Sequence, residues 1–416
     1  RLIALPQMKA ETLPPLPARV TIPDLVDQAQ RALAMMSQVR GRALSPSLEK
    51  EAPIFSGTQV AALCGLDKSQ LNYRITKGDL PQGVVRTSGS RREFTLAEAR
   101  TWVRACKVAP ERPAGAQACV IAVGNFKGGS TKTTTAITLA QGLSLRGHRV
   151  LVIDLDPQGS LTTLFGILPD TEVADEQTVN ALCYGDESSV RYAIRPTYWD
   201  GIDLVAASPT LFSSEFALPS RQVRDREFEF WNVLNAGLAD VKGEYDAIVI
   251  DTPPALSYLT INALMAANGI VVPMPPNALD FASSAQFWNL FADLAASMER
   301  TRGVEKSYDF IHVLLSKVDL TEAAAGYVRQ LIGATYADKV LPVEIPKTNV
   351  TSASAAEFRT VYDVTKYEGS YRTYVRAREA YDRFVQLVEE SIAQAWQRQI
   401  AGESGGEARS PSVRAA

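Results

Sequence analysis

Between Cys119 and Thr135 the chain reads CVIAVGNFKGGSTKTTT: an apolar strand, a glycine-turned loop with two lysines, and the start of a helix. A helix amino end carries unpaired N–H groups and the positive end of its dipole, so a loop of this kind seats phosphate. Backbone N–H groups through Gly128, Gly129, Ser130, Thr131, Lys132 and Thr133 can ring a β-phosphate, with Thr134 opening the helix behind them. The Lys132 ammonium can neutralise that phosphate, and the Thr133 hydroxyl can reach Mg²⁺. The expected ligand is a nucleoside triphosphate.

The ordinary phosphate loop has glycines six and one residues before its lysine, where this chain has Phe126 and Thr131. It has instead a second lysine, Lys127, five residues ahead of Lys132. The order Lys-Gly-Gly-x-x-Lys-Thr resembles the deviant Walker A motif of the ParA/MinD superfamily. In that family the extra lysine reaches across a two-fold axis to the partner's nucleotide, so the resemblance implies a homodimer in which Lys127 is catalytic and binds ATP.

Two more apolar strands end in acids. RVLVIDLDPQGS carries Asp154 and Asp156, and YDAIVIDTPPALS carries Asp251. A carboxylate at the carboxyl edge of a parallel sheet faces the phosphates. The first strand resembles the family's Walker A′ motif and the second its Walker B. The resemblance implies that Asp156 orients the attacking water, that Asp154 organises the magnesium shell, and that Asp251 binds magnesium through water.

After the strand FIHVLLS, Ser316-Lys317-Val318-Asp319 is similar to the Asn/Thr-Lys-x-Asp element that grips guanine in related GTPases. Its first residue departs from that pattern, and ATP is kept as the ligand. Lys317, with Pro346 and Lys347 of a later strand and loop, is the candidate wall for the base.

Composition leaves little else to carry chemistry. Cys64, Cys106, Cys119 and Cys183 are far apart, without paired metal spacing, and read as core thiols in a reducing compartment. Only His148 and His312 occur, which argues against imidazole catalysis and a histidine metal site. No run of 18 apolar residues exists, so no membrane span is expected, and no secretory h-region is visible at the amino end. The expected compartment is the cytoplasm, with the protein associated with the nucleoid.

The net charge of −3 hides a split: residues 1–112 hold 17 Lys/Arg against 10 Asp/Glu. Within this basic part, FSGTQVAALCGLDKSQLNYRITKGDLP reads as helix-turn-helix, Ser56 or Thr58 capping the first helix and Gly65 making the turn. The second helix, about Ser69 to Thr76, is expected to face DNA with Lys68, Ser69, Gln70, Asn72, Tyr73, Arg74 and Lys77. Residues 78–94 read as a two-stranded wing with Arg91 and Arg92 near its tip, and TLAEARTWVRACK as a closing helix. This layout resembles the MerR-like winged helix of large, type Ia partition ATPases. Ahead of it IPDLVDQAQRALAMMSQVR is an amphipathic helix, either a cap on its own domain or a dimerising arm.

Toward the carboxyl end, Arg359, Lys366, Arg372 and Arg376 interleave with tyrosines before a long amphipathic helix. In the family this region supplies a non-specific DNA surface.

The expected fold is a doubly wound, mostly parallel α/β sheet behind a mainly α winged helix-turn-helix domain. The expected divisions are an arm over 1–45, a DNA-binding domain over 46–110, a linker rich in Pro, Ala and Gly over 108–117, an ATPase domain over 118–398, and a disordered tail over 399–416. The resemblance implies a slow ATPase whose ATP-bound dimer binds DNA, is stimulated by a ParB-type partner, and represses its own operon. The competing reading is a transcription regulator that senses nucleotide and has no partition role.

Overall fold

The computed structural model describes residues 20–43, 50–85, 91–125, 128, 131–319, 323–347, 359–364 and 371–406. The chain forms two units, 1–48 and 49–416. In the first, α1 (Ile22–Ala43) is a single helix whose amino end is fixed by Thr21, its N–H and hydroxyl both donating to Asp24 Oδ2 at 2.7 Å. Its apolar residues, Leu25, Val26, Leu33, Met36 and Val39 among them, are exposed.

The second unit is built on an eight-stranded sheet. Its strands are β4 (Cys119–Val123), β5 (Val150–Asp154), β6 (Arg195–Pro196), β7 (Ile202–Val205), β8 (Ala247–Asp251), β9 (Gly269–Met274), β10 (Phe310–Val318) and β11 (Val340–Pro346). They lie in the order β11-β10-β9-β4-β8-β5-β7-β6, with only the β6–β7 pair antiparallel. From β4 the chain crosses through α5 (Lys132–Leu145) to β5, continues outward to β7, returns to β8, and then passes to β9 on the other flank of β4. Such a reversal opens a crevice at the carboxyl edge of β4, where the loop toward α5 begins.

Strand alternation divides the buried residues between the two faces. Cys119, Ile121 and Val123 join one core; Val120 and Ala122 join the other. On the first face lie α5 and the carboxyl-terminal helix Tyr371–Gly406, which buries Phe384, Val385, Val388 and Trp396. The two helices touch closely at Gly142, where a Cβ would fall 2.4 Å from Val385 Cγ2. Residues 399–406, expected in a disordered tail, are the last part of this helix.

Ahead of the sheet come β1 (Phe55–Ser56), α2 (Gly57–Leu63), α3 (Lys68–Lys77), β2 (Val84–Val85), β3 (Arg92–Phe94) and α4 (Leu96–Ala105). Each helix starts at a reciprocal cap: Ser56 with Gln59, Asp67 with Gln70, and Thr95 with Glu98. The Asp67 cap starts α3 one residue before the expected Ser69. β3 pairs antiparallel with both β1 and β2.

These elements share the first core of the sheet, which runs from Phe55, Phe94 and Trp102 into Leu143 and Val150. Arg100 is 2% exposed and donates from Nε to Ser144 O at 2.8 Å and from Nη2 to His148 O at 2.8 Å, with Asp200 as its counter-ion. It thereby satisfies one carbonyl in the last turn of α5 and one in the turn just beyond it. The expected linker is pinned as well, because Arg112 donates to Ala116 O, to Gly243 O at 2.7 Å and to Asp246 Oδ1 at 3.2 Å. The Pro, Ala and Gly content marked a linker but not what its arginine would hold.

Candidate phosphate and magnesium site

Parallel pairing brings the strand-end acids together. Asp251 ends β8 in register with Val123 of β4 on one side and Asp154 of β5 on the other. Both carboxylates are fully buried, and Asp156 is half-buried.

Asp154 is taken up by protein donors. Its Oδ2 accepts from Thr162 N at 2.9 Å and Thr162 Oγ1 at 2.8 Å, and its Oδ1 accepts from Asp156 N at 3.1 Å. Thr162 lies on α6 (Ser160–Leu164) and also accepts from Ala207 N at 2.9 Å. Asp154 therefore organises the loop that carries Asp156 rather than offering a free face to a cation. Sequence reading missed Thr162; its only signal is a hydroxyl residue in the short helix after the acidic loop. Asp156 Oδ1 accepts from Gln158 N at 3.0 Å.

Asp251 is the opposite case. Neither of its oxygens has a hydrogen-bond partner among the described residues. Burial pushes its pKa well above the carboxylate range, and the Asp154 charge adds to this; the Thr133 hydroxyl faces it closely enough to oppose the shift without closing a formed hydrogen bond, and Lys132 opposes it further. A buried carboxylate with open oxygens beside a threonine hydroxyl and a lysine suits a hydrated Mg²⁺ carrying phosphate. Lys132, 6% exposed at the start of α5, has its pKa lowered by burial, with the Asp251 and Asp156 charges opposing.

Burial raises Asp154 to about 7, against the Thr162 hydrogen bonds, and also raises Asp156. The sign follows: an acid whose folded pKa exceeds its unfolded value binds its proton more tightly when folded. Stability conferred by that proton is lost as pH rises from the ordinary carboxylate value of 3.8 toward about 7. Urea melts of the nucleotide-free protein should therefore lose stability across this window relative to an Asp154→Asn variant. A difference that rises through it would contradict the buried-carboxylate assignment.

Thr131 precedes α5 with φ 72° and ψ 17°, the left-handed region. A β-branched residue there is strained by about 1–2 kcal/mol, part of which a glycine would return as unfolded-state entropy.

The remaining phosphate-loop candidates divide. Gly128 is exposed, and Thr133 and Thr134 are half-buried in the first turn of α5. Lys127, Gly129 and Ser130 lie outside the described residues. Lys317 is exposed near the end of β10 with φ 52°. Pro346 is in register with Val318, Lys347 N donates to Val318 O at 2.9 Å, and Lys347 Nζ is 3.5 Å from Asp319. This group sits at the same sheet edge, Lys317 three strands and Pro346 four strands from Asp251.

On α3, Lys68, Ser69, Asn72, Tyr73 and Lys77 are exposed, Lys77 lying 3.2 Å from Asp79. Gln70 is exposed as well, its Oε1 accepting from Asp67 N at 2.9 Å in the cap. Arg74, three residues after buried Leu71, is half-buried, and its guanidinium donates to Cys106 Sγ at 3.2 Å. The i,i+3 spacing draws it toward the buried stripe. Arg91 is exposed, whereas Arg92 donates to Gln82 O. Arg359, Arg372 and Arg376 are exposed; Lys366 lies outside the described residues. All four cysteines are free. No helix among the described residues is long and apolar enough to cross a membrane.

Residues 118–303 match the family model described as "AAA domain". The chain is 32% identical to a protein named replication protein A from Rhizobium rhizogenes, over 89% of this chain and 95% of that one. It is 33% identical to the chromosome partitioning protein ParA of Caulobacter vibrioides, over 64% of this chain and 94% of that one. Among solved structures it resembles the cobyrinic acid a,c-diamide synthase of Mycobacterium smegmatis with bound ADP and magnesium, with 26% identity, a TM-score of 0.50, and coverage of 65% of this chain and 94% of that one.

Proposed function

Because this chain belongs to the ParA family of partition ATPases, we propose that it hydrolyses ATP to time its hold on DNA during replicon segregation. The observation that carries the reading is Asp251, a buried carboxylate with both oxygens open beside Thr133 and Lys132. Thr133 and Asp251 would hold Mg²⁺, which supplies charge neutralisation to the phosphates. Lys132 binds phosphate oxygens. Asp156, held in place through Asp154, orients the attacking water, and Lys127 completes the partner's site in a homodimer. Burial raises the Asp156 pKa, while the Gln158 backbone N–H and the Lys132 charge oppose the shift.

Two basic surfaces serve DNA in this reading. Arg359, Lys366, Arg372 and Arg376 hold the backbone without sequence preference, while the exposed side of α3 reads an operator for autorepression. A ParB-type partner accelerates hydrolysis, and the protein works on the nucleoid in the cytoplasm. Fluorescence anisotropy with a random-sequence duplex tests this. Binding should appear with ATP and not with ADP, and log K should fall linearly with log salt. Operator binding independent of ATP, with no affinity for random duplex, would replace partition by the regulator reading.

A further inference from the structure

Behind the phosphate site, a buried polar cluster joins four stretches of chain. Gln141 lies on α5 nine residues after Lys132, about 13.5 Å along the helix, and is fully buried. Its whole amide is used: Nε2 donates to Tyr198 Oη at 2.9 Å and to Asp363 Oδ1 at 3.4 Å, and Oε1 accepts from Thr360 Oγ1 at 2.7 Å. Tyr198 Oη donates to Asp363 Oδ1 at 2.6 Å, and Asp363 Oδ2 accepts from Thr360 N at 2.8 Å.

The same carboxylate pairs with Lys50 Nζ at 2.8 Å, the two side chains being 6% and 4% exposed. Lys50 also donates to Leu164 O at 2.7 Å and lies 4.6 Å over the Tyr198 ring. Leu164 is the last residue of α6, whose Thr162 holds Asp154. Two routes therefore lead from the nucleotide site to Asp363. One runs along α5 from Lys132 to Gln141, the other through Asp154, Thr162, Leu164 and Lys50.

Asp363 lies four residues after exposed Arg359, among the described residues 359–364. The segment is also clamped from the carboxyl-terminal helix: Tyr374 Oη donates to Val364 O at 2.8 Å, and Tyr362 Oη donates to Asp382 Oδ1 at 2.9 Å. A buried ion pair adds little stability over an apolar replacement of equal volume, but it admits few alternative arrangements. We infer that Asp363 is a positioning residue through which the phosphate-bearing helix α5 and the acidic-loop helix α6 set the attitude of the Arg359 segment, so that ATP occupancy decides whether Arg359 meets a DNA backbone. This rests on the reading above that Arg359 holds DNA, but the coupling can be tested without DNA.

The measurement is amide hydrogen exchange over residues 359–364 in the full chain, with and without MgATP. In the unmodified protein exchange should slow about fivefold or more on ATP binding, the scale of a local opening shifted by a ligand. Asp363→Asn should lose this response while retaining ATP affinity within about twofold, since it touches no phosphate. If that variant fails to fold, Gln141→Met leaves the Lys50–Asp363 pair intact and should also uncouple the segment. No ATP response in the unmodified protein, or a full response in both variants, overturns the inference. A response lost in the variants, with no ATP-dependent DNA binding in the unmodified protein, upholds the coupling and removes the DNA reading instead.

Discussion

Lys132→Met should weaken ATP binding by at least about a hundredfold, roughly 2.7 kcal/mol, in isothermal titration. Methionine keeps the length of the side chain and removes its charge and its three donors. Lys132 is 6% exposed, so little water can replace the lost ammonium against a phosphate. The substitution also removes a charge that holds down the Asp251 and Asp156 pKa values. Both acids should then take up protons more readily, and residual MgATP binding should weaken further as pH falls, because a protonated Asp251 holds the cation less well. An affinity within threefold of the unmodified protein would mean that the loop N–H groups carry the phosphate without the lysine.

Asp251→Asn should separate stability from activity. In the nucleotide-free protein the charged carboxylate has no hydrogen-bond partner among the described residues and stands next to Asp154, so folding must either bury a charge or take up a proton. The neutral isostere removes that cost, and nucleotide-free stability at pH 8 should rise by about 1–3 kcal/mol. ATP turnover should fall by about a thousandfold or more, because an amide is a poor partner for hydrated Mg²⁺. Thermal melts in chelator, paired with a phosphate-release assay, check both halves. A less stable protein that still turns over would show that Asp251 is a structural acid.

Much of the site was legible because its signals are local. The phosphate loop is one contiguous segment, and the ends of apolar runs disclose strand-end acids by period alone. Caps such as Asp67 with Gln70 are also readable at a spacing of three residues, although the expected α3 boundary ignored Asp67. Outward-facing residues were harder. Asn72, Tyr73 and Lys77 face solvent as expected, but Arg74 was assigned by its charge; its spacing from buried Leu71 and its approach to Cys106, 32 residues away, account for its half-burial.

The order of motifs along the chain set the phosphate loop, its lysine and the three carboxylates, since each depends on a handful of neighbouring residues. Tertiary packing decided which carboxylate stays open and which is filled. Asp154 accepts from Thr162, while Asp251 has no hydrogen-bond partner among the described residues and only faces Thr133 and Lys132; nothing in the spacing of either strand distinguishes them. It likewise brought Lys50, Gln141 and Asp363 together from three distant stretches of chain. Hydrogen bonds of that range leave no periodic trace, because the partners are chosen by the fold of the chain between them.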